Sequence, residues 1–231
     1  AKDYAKAYTL YDEAMKNIGD VQIDVSINFN IGYAACKSGN IEGAEKYMAK
    51  AIQAGTNVPK CHESLGDMYL DKKDFAKAVA SYENALATAT EGIDLLAYKA
   101  GSAAYNGKNF DKAIIMFDKC IQAGYKPETA YFYKANALKN QSKAKESKAV
   151  LEEGVTKFPA DTKLSSSLAK VYVAEGNDLY NKGAAILGEA NKKVTAGTLK
   201  TDAPAYIAEV GKSKVEFQAA VVILEKAKAL D

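Results

Sequence analysis

Residues 59–90 read PKCHESLGDMYLDKKDFAKAVASYENALATAT. Within them His62-x2-Leu65-Gly66-x2-Tyr69 is followed by Ala78-x3-Tyr82 and then Ala85. Leu65 and Tyr69 lie four apart with His62 one turn earlier, so a first helix carries one mostly apolar stripe. Ala78, Tyr82 and Ala85 make the same stripe on a second helix. Small Gly66 and Ala78 let the two backbones approach, and Tyr69 and Tyr82 fill the space beside them. A bulky residue at Ala78 is expected to overpack that joint and cost about 1–3 kcal/mol.

The same slots recur on both sides. A unit over 25–58 carries Ile31-Gly32 and Ala35, a Gly39-Asn40 turn, then Ala44, Met48 and Ala51. A unit over 94–127 places Gly101 where Gly66 stood, turns at Asn106-Gly107, and continues with Ala113, Phe117 and Cys120. The unit over 128–161 carries Tyr131, Ala135 and Leu138, then Leu151 and Gly154, and closes at Pro159. These starts at 25, 59, 94 and 128 differ by 34 or 35 residues, a period that marks stacked helical hairpins. Residues 1–24 supply only a second-helix stripe, Tyr4, Ala7, Tyr11 and Ala14, so the chain reads as a fragment or processed form entered in mid-repeat. Residues 162–231 are atypical. Either one long helix runs over 161–194 or a turn sits at Gly176-Asn177; Gly176 and Gly183 each cost about 1 kcal/mol inside a helix, which favours a turn or kink in this stretch. A polar loop over 195–204 then leads into one long closing helix ending in Ala220, Leu224 and Ala227. A terminal hairpin of this kind can cap an array whose last face lacks a neighbour.

Composition narrows the function. The 231 residues carry a net charge of +2, which gives no strong drive toward nucleic acid or anionic lipid. Every basic residue except His62 is Lys, so the planar guanidinium fork that reads phosphate and guanine is absent. Cys36, Cys61 and Cys120 are odd in number and far apart, which fits buried thiols rather than a disulfide framework or metal site. The longest apolar run, Ala219–Leu224, is far short of the ~20 residues that cross a bilayer. There is no Gly-rich phosphate loop, HExxH pair or GxSxG elbow, and His62 falls in a packing slot. Glu63 and Asp67 share a helix face, but no oxyanion device or ligand set accompanies them. No enzyme and no cofactor are expected.

The quoted motif and its period resemble those of tetratricopeptide-repeat proteins over nearly the whole chain, most closely over 25–123. Asn28, His62, Ala97, Tyr131 and Ser165 stand where that pattern has Trp, and Ser147 stands in a small-residue slot. The resemblance implies an all-α, right-handed superhelical solenoid forming a single domain over 1–231, with an elongated C-terminal hairpin. It further implies a concave groove, lined by first helices, that binds a protein or peptide as a non-catalytic scaffold. The late stretch Leu179–Gly183 and the closing helix also look like bacterial multi-repeat proteins. Those are often exported to the cell envelope, so an envelope location or envelope-assembly role is implied, with the cytoplasm still open.

On the face that the resemblance assigns to the groove fall Phe29, Tyr33, Glu63, Asp67, Tyr98, Tyr105, Phe132, Asn136 and Lys139. The aromatics sit at positions the hairpin core does not need, with an acidic patch, Glu63 and Asp67, between them and Asp71 one turn on. Apolar anchors beside charges suit recognition of an extended or helical peptide with a basic or polar middle. The same aromatics could instead pack between units. A third reading is carbohydrate binding, with tyrosines stacked on sugar rings. The carboxylate clamp of chaperone-binding members is disfavoured: Asn30 and Lys60 fit two of its slots, but Ser64 stands where Arg is needed, beside two acids.

Overall fold

The computed structural model describes residues 3–18 and 24–230, and all regular structure among them is helical. In order the helices are α1 (Tyr4–Asn17), α2 (Ile27–Ser38), α3 (Ile41–Gln53), α4 (Val58–Asp71), α5 (Phe75–Thr88), α6 (Ile93–Asn106), α7 (Phe110–Ala123), α8 (Pro127–Asn140), α9 (Ala144–Lys157), α10 (Thr162–Thr195) and α11 (Pro204–Lys228). One compact unit spans residues 1–143 and holds α1–α8; a second spans 144–231 and holds α9–α11. The junction between the partial repeat and the unit that follows includes residues 19–23, which lie outside the described residues.

Local sequence starts and stops the helices of the first unit at repeating positions. Asp3, Asn40, Asp74 and Asn109 precede α1, α3, α5 and α7, and each side chain accepts from the backbone N–H three residues on. The turns inside the hairpins close when the amides of Asn40, Asp74 and Asn109 return to Ala35, Tyr69 and Ala104. Gly39, Lys73 and Lys108 occupy the left-handed position of those turns. In the last of them Gly107 keeps an ordinary φ of −79° and Lys108 takes +60°. The reason is contact: a Cβ on Gly107 would lie 2.7 Å from Cβ of Phe75, so glycine is needed there for room rather than for its φ.

Packing follows the small and large slots. Met48, Tyr82 and Phe117 of the second helices lie over Gly32, Gly66 and Gly101 of the first, where an added Cβ would come within 2.9, 2.6 and 3.2 Å. All three large side chains are 0% exposed, as are Ala44, Ala78 and Ala113 one turn earlier. The core of this unit therefore runs through its hairpins as one cluster reaching from Ala35 to Ala137. Successive second helices are also tied by ion pairs: Lys46 to Asp12 at 3.3 Å, Lys77 to Glu45 at 3.4 Å, and Lys112 to Glu83 at 2.6 Å.

In the second unit the single long helix, of the two arrangements open for 161–194, is the one that forms, and the favoured turn or kink near Gly176-Asn177 does not occur. Helix α10 runs 34 residues without interruption and packs against α11. Leu224 lies against Gly176 and Phe217 against Gly183, with clearances of 2.7 and 2.9 Å to an added Cβ. Close approach of α11 offsets the propensity cost of both glycines, the same device that joins the short hairpins. Ala220 and Ala227 are buried in this contact, as their spacing predicts.

Candidate partner-binding face

The nine groove candidates lie on α2, α4, α6 and α8, all in the first unit. Their rings are half-buried rather than free. Phe29 and Tyr33 stack at 6.1 Å, and Tyr4 of α1 meets Tyr33 edge-on. Tyr98 stands edge-on to Phe117 and to Tyr125, with Lys126 Nζ 4.5 Å from its ring centre. Tyr105 is wedged between Phe110 and Tyr133, at 5.8 and 5.1 Å. Phe29, Tyr33, Tyr98 and Tyr105 all pack on the core cluster, so they contribute to the joints between helices as well as to the surface. Phe132 touches Tyr133 edge-on and stands outside that set. The view of these positions as spare to the core therefore fails for four of the five rings: Tyr98 packs on Phe117 of its own hairpin, Tyr105 on Phe110 and on Tyr133 of the next unit, and Tyr33 on Tyr4 of α1.

The acidic patch is also more constrained than spacing implies. Lys99 of α6 reaches across to α4, with Nζ 2.6 Å from Glu63 Oε1 and 2.8 Å from Asp67 Oδ1. Lys60 closes on the other oxygen of Glu63 at 2.6 Å. Asp67 Oδ1 further accepts from the phenol of Tyr82, 2.7 Å away and wholly buried. Two carboxylates and two ammonium groups thus form a near-neutral network. Burial acts to raise the Glu63 pKa, yet the hydrogen bonds and charges of Lys60 and Lys99 outweigh it and hold the carboxyl below its ordinary value. Desolvation acts to lower Lys99, and its two carboxylates keep it raised all the same. Burial and Asp67 together push the Tyr82 hydroxyl well up, so it stays a donor. A Glu63 carboxylate held ionised in this way binds or orients rather than exchanging protons near neutrality.

Asn136 is half-buried and donates to the Phe132 carbonyl at 3.0 Å, while Lys139 is exposed at the end of α8. Lys60 and Ser64, two clamp-slot positions, are engaged or hidden: the first by Glu63, the second by burial. His62 is half-buried, and burial lowers its pKa. The three thiols are buried and shifted up, Cys36 to about 12 and Cys61 and Cys120 to about 11, mainly by desolvation. Among the described residues no group of three or more His, Cys, Asp or Glu could hold a metal ion, and no helix is long and apolar enough to cross a membrane.

Reading single helices missed Lys99 and Tyr133. Both stand at the sixth residue of their units, one place beyond the stripe. That position reaches back to the preceding unit: Lys99 to Glu63 and Asp67, Tyr133 to Tyr105 and Phe117. The separations, 36 and 32 residues for Lys99, share no single offset with those of Tyr133, so the contacts are visible only once the units are stacked.

Comparison with known proteins bears on the fold. The tetratricopeptide repeat family matches residues 25–54 and 59–89. Among solved structures, a repeat protein of this kind from Bacteroides fragilis is 23% identical, with a TM-score of 0.54 over 76% of this chain and 92% of that one. A MamA fragment from Desulfovibrio magneticus RS-1 is 14% identical, with a TM-score of 0.50 over 90% of this chain and 98% of that one. A MamA double mutant designated RS-1 is also 14% identical, with a TM-score of 0.51 over 91% and 96%. No protein of curated function matches the sequence. The repeated small and large slots, the capped hairpins and these matches together give the chain an all-α solenoid fold, with tetratricopeptide repeats matched over residues 25–54 and 59–89.

Proposed function

We propose that the first unit is a non-catalytic scaffold that holds a protein or peptide along the face formed by Phe29, Tyr33, Glu63, Asp67, Tyr98, Tyr105, Phe132, Asn136 and Lys139. The tetratricopeptide class supports a protein-interaction role in general. The observation that carries the finer reading is the Lys99 network. Its three carboxylate contacts fix the α4 and α6 faces relative to each other, between aromatic rings that keep one side toward solvent. A face fixed before the partner arrives loses little conformational freedom on binding. Because Lys60 and Lys99 already neutralise Glu63 and Asp67, the segment that crosses them is polar rather than strongly basic. Apolar residues on either side of it meet Tyr33 and Phe29 at one end and Phe132 at the other. Lys139 adds a positive rim, which favours an acidic flank on the ligand.

The test is affinity capture from a native extract with the wild-type chain and a Phe132→Ala/Lys139→Glu variant, each checked for an unchanged melting curve. Loss of the same partners from the variant supports the reading; undiminished capture of every partner refutes it. A peptide array set against a glycan array decides the second reading, sugar stacking on Tyr98 and Tyr105. Exclusive glycan binding would replace the peptide.

A further inference from the structure

The fourth residue of successive units is Asn28, His62, Ala97, Tyr131 and Ser165. On either side of Ala97 that position holds a ring: His62 is half-buried and Tyr131 is 1% exposed. Asn28 and Ser165 are buried and polar. Ala97 is the one member with no atom beyond Cβ, and it is 0% exposed.

The space it leaves is not refilled. A cavity of about 290 Å³ lies between the start of α6 and the end of α7, lined by Glu91, Ile93, Asp94, Ala97, Lys119 and Ala123. Cys120 Sγ is 3.9 Å from the Asp94 carbonyl oxygen, so the two helices meet beside the cavity, and its space comes from the short side chain rather than from splayed helices. This volume sits just below the ~300–1,000 Å³ of ligand pockets, which suits one ring rather than a larger molecule. Ile93, 47% exposed, gives it an apolar wall. Glu91 and Asp94 give it acceptors, and this fold already joins phenols to carboxylates across helices: Tyr47 to Asp12 at 2.6 Å, Tyr82 to Asp67 at 2.7 Å and Tyr172 to Glu152 at 2.9 Å. Lys119 adds an ammonium group of the kind that Lys126 lays over the Tyr98 ring.

We propose that this cavity is a receptor for a tyrosine or tryptophan side chain carried by a partner protein. The ring enters against Ile93, Ala97 and Ala123, its hydroxyl or indole N–H donates to Asp94 or Glu91, and Lys119 closes over its face. The partner thus supplies in trans the ring that His62 and Tyr131 supply in their own units. None of the nine groove residues lines the cavity, so this site stands or falls independently of the peptide-binding reading.

The probes are N-acetyl-tyrosinamide and N-acetyl-tryptophanamide, with N-acetyl-leucinamide as the aliphatic control, titrated into the wild-type chain and followed by methyl NMR. Saturable shifts at Ile93, Ala97 and Ala123 are expected from the two aromatic amides alone, with millimolar or tighter affinity. Ala97→Tyr puts the ring in place from within. It is expected to melt close to the wild type and to lose the aromatic shifts. Ala100→Tyr, one turn on and outside the cavity lining, is expected to melt several degrees lower, because a large residue there has no room. Ala123→Trp, at an exposed position on the rim, folds whatever the fate of the other two and is expected to weaken amide binding tenfold or more. Four outcomes overturn the proposal. They are no saturable shift from either aromatic amide, equal shifts from the leucine amide, equal loss of melting temperature in Ala97→Tyr and Ala100→Tyr, or binding that survives Ala123→Trp unchanged. A fifth does the same: p-cresol or indole bound tenfold more tightly than the capped amino acids would assign the cavity to a free aromatic molecule instead of a partner's side chain.

Discussion

Gly66→Ala and Gly188→Ala are the same chemical change in two helices, and the structure gives them opposite signs. At Gly66 a Cβ would lie 2.6, 2.7 and 3.0 Å from three ring atoms of Tyr82. Carbon atoms rest at about 3.5–4.0 Å, so the ring would have to retreat by roughly 1 Å. It has nowhere to go, since Tyr82 is 0% exposed and its hydroxyl is held by Asp67 at 2.7 Å. Overpacking costs about 1–3 kcal/mol, and weakening a buried hydrogen bond to a carboxylate adds about 1–2 kcal/mol. The better helix propensity of alanine returns about 1 kcal/mol. The net is a loss of about 1–4 kcal/mol, or roughly 2–15 °C in melting temperature for a chain of this size. At Gly188, also helical, nothing lies within 4 Å, so only the propensity gain remains and the melting temperature should rise by about 2–4 °C. Thermal and urea unfolding followed by circular dichroism at 222 nm would measure both. A Gly66→Ala chain as stable as the wild type would refute the close approach of α4 and α5 on which the hairpin description rests.

Replacing Lys99 with Met leaves Glu63 and Asp67 facing each other and should cost about 1–3 kcal/mol at neutral pH. Because the Glu63 pKa is depressed on folding, its contribution is complete above the ordinary value of 4.5 and is lost as pH falls through the lower folded value. Wild-type stability should therefore fall across that window, and Lys99→Met should flatten the fall; equal slopes in urea titrations would count against the network. Lys108 holds a φ of +60° that glycine adopts without strain, so Lys108→Gly should gain about 0.5–1 kcal/mol despite lying beside a helix. A loss of stability on chemical denaturation would contradict that assignment. The thiols of Cys36, Cys61 and Cys120, raised to about 12, 11 and 11, should react with a disulfide reagent at pH 8 only after unfolding; prompt labelling of the native chain would deny their burial.

The spacing of residues 59–90 was sufficient to predict helical hairpins, their slots and their period. Each slot is a local demand: Gly66 must be small because Tyr82 is large, and both lie within one repeat. The Asp and Asn caps and the turn at Gly39 belong to the same category, since a cap satisfies amides three residues away. Interactions between units escape that reading. Lys99 meets Glu63 across 36 residues and Tyr133 meets Phe117 across 16, and neither distance follows from the period of one helix. The glycines of α10 show the limit most directly. Propensity alone argues for a break at Gly176, yet the tertiary contact with Leu224 keeps the helix whole, because a helix interior tolerates glycine where another helix needs its space. Sequence determined the hairpin because its contacts are short-range and periodic. Only the folded arrangement decided which rings belong to the core and which charges are paired.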